Sequence, residues 1–174
     1  MIYFVADTHF FDDTIRRYEN RPFSNVQEMN EKVVHNWNNT VRIEDEVYVL
    51  GDLGNADADK MAEILNKLHG KKYLVKGNHD NHSNAFYREV GFEEVYDKPV
   101  ILDGFWILSH EPLYVCENMP YANIFGHVHN SPLYKDYSKQ HYCVSLERIQ
   151  YVPISFEEIR QKVMQGEGNV TEEL

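Results

Sequence analysis

"IYFVADTH", residues 2–9, is an apolar run that stops at two side chains able to bind a metal ion, Asp7 and His9. The run itself, Ile2 to Ala6, is short and rich in β-branched and aromatic residues, which reads as a buried strand. The same arrangement recurs along the chain. "VYVLGD" (47–52) ends in Asp52, and "YLVKGNHD" (73–80) ends in Asn78, His79 and Asp80. "FWILSH" (105–110) ends in His110, and "NIFGHVH" (123–129) ends in His127 and His129. Gly51, Gly77 and Gly126 stand at three of these exits, where glycine allows a sharp turn and close backbone approach.

Helical patterns separate the early runs. Ser24 with Gln27 is the expected capping box of a helix carrying Val26, Met29, Val33 and Trp37. Met61, Ile64, Leu65 and Leu68 mark a second helix that ends at Gly70, and a third covers about 83–90 and stops at Gly91. The last is expected from Ser155 to Gly166. Further strands are expected at 100–102, 142–146 and 149–153, and Asp103-Gly104 signals a hairpin. Strand–helix alternation followed by mostly strands implies an α/β fold. A partly parallel sheet should feed a second, more antiparallel one, with helices outside and ligands at the strands' C-terminal ends.

In an extended segment residues i and i+2 point the same way, so Asp7 with His9, and His127 with His129, are each expected to aim two donors into one site. With Asp52, Asn78 and His110 the set offers three oxygen donors and four imidazoles. That exceeds one tetrahedral zinc and suits two adjacent divalent ions sharing a carboxylate. Nitrogen and oxygen donors without cysteine point to Mn, Fe, Zn or Ni. A lone DxH or GD is more often a turn or a cap, and a lone HxH divides evenly between the two readings. Their joint occurrence, each after an apolar run, carries the inference.

The 174 residues suffice for one domain with a sizeable core. We expect residues 1–165 to form it and the acidic tail 166–174 to be flexible. No apolar run is long enough to span a membrane, and the N-terminal run is too short for a signal-peptide core. Cys116 and Cys143 are too few for a disulfide framework, so a cytoplasmic location is expected. A net charge of -11 argues against duplex nucleic acid as a partner.

The ordered set DxH, GD, GNHD, a single His and GHxH, spanning residues 7–129, resembles the calcineurin-like metallophosphoesterase superfamily. "VSLERIQYVPISFEEI" (144–159) is similar to the end of its small bacterial and phage members. The resemblance implies a four-layer αββα sandwich of two mixed sheets flanked by helices. It also implies a two-metal centre, with manganese the first expectation. One ion would be held by Asp7, His9, Asp52 and His129, and the other by Asp52, Asn78, His110 and His127. Asp52 would bridge. A metal-bridging hydroxide would attack phosphorus in line, while His79, with Asn78, contacts the phosphate and protonates the leaving oxygen. Some members extend GD to GDxxD, and that second Asp orients the histidine. Asn55 stands there in this chain, which leaves open what orients His79.

Arg21, in the loop "YENRPF" (18–23), is a candidate for pairing with a substrate phosphate oxygen at the rim, against the competing reading of a surface arginine. The leading expectation is hydrolysis of a small, accessible phosphomonoester or phosphodiester. The alternatives are a nuclease acting on single-stranded or terminal nucleic acid, and a non-catalytic metal-binding scaffold. Oligomeric state has no sequence signal.

Overall fold

The computed structural model describes residues 1–115, 118–134 and 139–165. Cys116 and the tail 166–174 lie outside the described residues. The chain runs β1 (Ile2–Val5), α1 (Asp13–Tyr18), α2 (Val26–Thr40), β2 (Glu46–Val49), α3 (Ala58–Lys67), β3 (Lys71–Val75), α4 (Asn84–Glu89) and β4 (Glu94–Tyr96). It continues through β5 (Val100–Leu102), β6 (Trp106–Leu108), β7 (Ala122–Phe125), β8 (His141–Cys143), β9 (Ile154–Ser155) and α5 (Phe156–Gln165).

Two mixed sheets form the body. The first has the order β4-β3-β2-β1-β9, parallel from β4 to β1, with β9 antiparallel at the β1 edge. The second has the order β5-β6-β7-β8. Its β5–β6 hairpin is antiparallel, while β6–β7 and β7–β8 are parallel, so the second sheet is mixed like the first and only slightly more antiparallel. The 109–121 segment joins β6 to β7 as a crossover, and crossovers join parallel strands. Asp103 and Gly104, at φ 51° and 69°, make the β5–β6 turn with both central residues left-handed, as the Asp-Gly pair requires.

Local chemistry sets the helices. On α2, Met29, Val33 and Trp37 recur every fourth residue and are buried, while the Trp37 Nε1–H donates to the His69 carbonyl at 2.9 Å. The cap of α2 lies one residue later than the sequence suggested. Asn25 Oδ1 accepts from the Glu28 N–H at 2.9 Å, and Glu28 Oε2 accepts from the Ser24 N–H at 2.7 Å. Met61, Ile64 and Leu65 form the buried face of α3. The strand expected at 149–153 is instead a turn, followed by the short β9. β4 lacked a sequence signal because two of its three residues are half-buried at a sheet edge. No helix among the described residues is long and apolar enough to cross a membrane.

The two sheets meet at their C-terminal ends. Ala6, just past β1, bridges in parallel to Ser145, just past β8. Its N–H donates to the Val144 carbonyl at 2.9 Å, and its carbonyl accepts from the Leu146 N–H at 3.2 Å. Phe156 links the layers below, with its ring 5.7 Å from Phe4 and 5.3 Å from Trp106. The exits of β1, β2, β3, β6 and β7 therefore converge on one place.

Candidate metal centre

Five of the seven candidate donors stand on backbone that L-residues seldom adopt. φ is 57° at Asp7, 46° at His9, 55° at Asp52, 72° at His127 and 46° at His129. The sequence argument from extended alternation is thus corrected. Each DxH and HxH pair converges because both members turn into the left-handed region, which swings both side chains off the strand line. The turns are stitched to one another. The Asp7 N–H donates to the Gly51 carbonyl at 3.0 Å, His9 N–H to the Asp52 carbonyl at 3.0 Å, and Gly126 N–H to the His110 carbonyl at 2.9 Å. The His127 N–H reaches Asp7 Oδ2 at 2.9 Å.

The donors fall into two groups. Asp7, His9 and His129 offer atoms all within 4.8 Å of one another, and so do Asp52, His110 and His127. Asp52 Oδ2 sits between the groups, 3.6 Å from His9 Nε2 and 3.4 Å from His110 Nε2. Asn78 Oδ1 joins the second group, 2.9 Å from His110 Nε2 and 3.0 Å from His127 Nδ1. Those two nitrogens are 3.1 Å apart. His110 Nδ1 lies 2.9 Å from the Leu50 carbonyl, so Nδ1–H donates there and Nε2 faces inward, where a bound cation would replace its proton.

Two observations fit cations here. His9 Nε2 is buried and has no hydrogen-bond partner, a costly state for a neutral imidazole unless something else uses the lone pair. The three donors around Asn78 crowd at 2.9–3.1 Å. That matches the edge, about 3 Å, of an octahedron with bonds of roughly 2.1 Å. Electrostatics agree. Burial pushes His9 down to about 3, which keeps it a neutral donor. His110 rises to about 9 against the effect of burial, because the Asp52 carboxylate and then Asp7 outweigh it. The pair of carboxylates draws positive charge into the site.

Asp80 holds the second turn. Its Oδ2 accepts from the N–H groups of Asp52 at 2.7 Å and Gly77 at 2.8 Å, and its Oδ1 accepts from the Leu53 N–H at 3.1 Å. Gly77 is required at this contact: a Cβ there would lie 2.3 Å from Asp52 Oδ1. Asn78 and His79 are exposed at the mouth. The His79 N–H donates to Asp52 Oδ1 at 2.9 Å, and its ring packs edge-on to His9 with centroids 5.5 Å apart. The backbone N–H of Asn55 donates to the Phe10 carbonyl at 2.9 Å. His82 stacks on Phe86 at 4.0 Å.

Arg21 is not at the rim. Its side chain is 0% exposed, and the guanidinium donates to the Asp7 carbonyl at 2.6 Å, the Thr8 carbonyl at 3.1 Å and Glu147 Oε1 at 2.8 Å. With its donors turned inward it cannot serve as the expected phosphate clamp. Its partner Glu147 was missed from sequence. It lies 126 residues away, in the stretch 144–159 whose resemblance named no ligand, and the Ala6–Ser145 bridge helps bring it to the site. Glu147 also lies 3.1 Å from His129 Nδ1. Burial opposes its charge, but the hydrogen bond with His129 and the charge of Arg21 hold it down at about 2.

Comparison with known proteins places this geometry. Residues 1–168 match the family described as calcineurin-like phosphoesterase. The uncharacterised protein MJ1445 of Methanocaldococcus jannaschii is 35% identical over 175 residues, covering 95% of this chain and 92% of its own length. The crystal structure of AQ665 from Aquifex aeolicus, a protein of unknown function, superimposes with a TM-score of 0.72 at 30% identity. That match covers 92% of this chain and 98% of AQ665. The nuclease MPE of Pseudomonas putida matches more distantly, with a TM-score of 0.48 and 21% identity over 74% of this chain and 61% of its own. With the family match spanning nearly the whole sequence, the chain belongs to the calcineurin-like phosphoesterase family.

Proposed function

We propose that the protein hydrolyses small, accessible phosphomonoesters or phosphodiesters at a centre of two divalent ions, with manganese favoured. The observation that carries this reading is the pair of donor groups meeting at Asp52 Oδ2, beside the exposed Asn78 and His79. Asp7, His9, Asp52 and His129 would hold one ion; Asp52, Asn78, His110 and His127 would hold the other. When bound, such a pair supplies an acidified water as nucleophile and neutralises charge on the phosphate oxygens.

The chain's own residues do the rest. Asp52 keeps Oδ2 free to serve both groups because the His79 N–H occupies Oδ1. Asp80 fixes the two turns that carry Asp52 and Asn78. His79 meets the phosphate and delivers a proton to the leaving oxygen, and Asn78 lies beside it to orient the ester. An exposed mouth favours small substrates. The test is hydrolysis of nitrophenyl phosphate and bis-nitrophenyl phosphate with Mn²⁺. Turnover should vanish on chelation and in Asp52→Asn, and should fall in His79→Ala while both ions are retained. A metal-loaded protein that cleaves neither ester refutes the proposal.

A further inference from the structure

We propose that Glu147, locked by Arg21, is the positioning residue that prepares one half of the centre, the Asp7–His9–His129 half. This rests on the two-ion reading above. His129 carries two nitrogens with different surroundings. Nδ1 lies 3.1 Å from Glu147 Oε1, while Nε2 faces Asp7 Oδ1 at 3.9 Å. A carboxylate at Nδ1 fixes the proton there and leaves the Nε2 lone pair for a cation.

The Arg21–Glu147 contact is not built as a stability device. A carboxylate paired for its own sake takes an arginine through both oxygens. Here Oε1 alone receives both the Arg21 Nε–H and His129, and Oε2 is buried with no hydrogen-bond partner. Such an arrangement gains little stability, but it holds one oxygen at one point. The remaining Arg21 donors go to the carbonyls of Asp7 and Thr8, inside the left-handed turn that presents Asp7 and His9. One planar guanidinium therefore sets the turn and, through Glu147, the ring of His129. A lysine has no fork to reach three acceptors in this way. Glu19 also lies within reach of His129 and Glu147, but Oε1 of Glu147 is already shared between two donors.

The experiment is Mn²⁺ binding to the full chain by calorimetry, with ions per chain counted by native mass spectrometry. Wild type should take up two. In Glu147→Ala one ion should weaken by about 10–100-fold while the other keeps its affinity. Arg21→Lys should weaken the same ion. Glu147→Gln, whose amide oxygen can still accept from Nδ1, should recover most of the loss. Unchanged binding in Glu147→Ala, equal weakening of both ions, or a Gln variant no better than Ala overturns the inference while leaving the two-ion centre standing. A wild-type protein that binds no ions overturns both. Should Glu147→Ala fail to fold, long-range ¹H–¹⁵N spectra of the Zn²⁺-loaded wild type decide the matter. A proton on His129 Nδ1 supports the proposal and a proton on Nε2 overturns it.

Discussion

Replacing Gly77 by alanine puts a methyl carbon where three atoms already stand: 2.3 Å from Asp52 Oδ1, 2.7 Å from the Asp52 nitrogen and 2.9 Å from His110 Cε1. Ordinary contact begins at 3.4 Å, so the Asp52 turn must retreat by about 1 Å. One of the three atoms is backbone, which cannot rotate aside. Overpacking of this kind costs about 1–3 kcal/mol. Stretching the His79 N–H···Oδ1 bond adds about 1 kcal/mol. Working the other way, alanine stiffens the unfolded chain and returns about 0.4–1 kcal/mol. Gly77 is not among the left-handed glycines, so no backbone strain enters. The net loss is about 2 kcal/mol, or about 4–8 °C in Tm for a chain of this length. Melting in excess EDTA isolates the steric term from any ion. Titration with Mn²⁺ should then show both ions weakened, because the displaced carboxylate serves both groups. A variant that melts within about 1 °C of wild type and binds two ions normally would refute the close-approach argument.

Other perturbations separate the elements of the site. His127→Ala and His129→Ala should each lose a different ion, since the two rings belong to different donor groups; equal loss of both ions, read by mass spectrometry, contradicts the division. Asp80→Ala strips the acceptor from the N–H groups of Asp52, Leu53 and Gly77 and should cost about 3 kcal/mol, seen as a lower urea midpoint at unchanged slope. Gly104→Ala, where nothing lies within 4 Å of the new carbon, should cost only the left-handed penalty of about 1 kcal/mol and leave ion binding untouched. Asn25→Ala should destabilise by about 1 kcal/mol through loss of the α2 cap, measured by the same denaturation.

The strands and their ligand-bearing exits were legible because burial writes itself into composition. Ile2–Val5, Trp106–Leu108 and the core of Ala122–Phe125 are apolar runs with a polar residue at the turn, and the fold needs them so. β4 was not legible, since an edge strand shares its faces with water and looks like a loop. The seven candidate donors could be named by type and order. Their convergence was attributed to extended backbone, however, and local sequence has no reason to announce a left-handed aspartate. Arg21 was misread for a related cause. Its surroundings are made by residues 126 positions away, and a buried arginine and a surface arginine have the same neighbours in sequence. Glu147 carried no local sign of a role in the site, being placed by the pairing of Ala6 with Ser145.

The left-handed donors have a consequence for how ions and folding are linked. Outside glycine each such residue costs about 1–2 kcal/mol in a free chain, so the five together represent roughly 5–10 kcal/mol. An unfolded chain therefore almost never presents Asp7, His9, Asp52, His127 and His129 in their native attitude. Divalent ions held there as proposed would then favour the native state over the denatured ensemble nearly without competition, and their full binding free energy would be delivered to stability. Melting temperature should thus climb with the logarithm of free ion concentration, which makes the folded fraction itself a gauge of the metal supply around the protein.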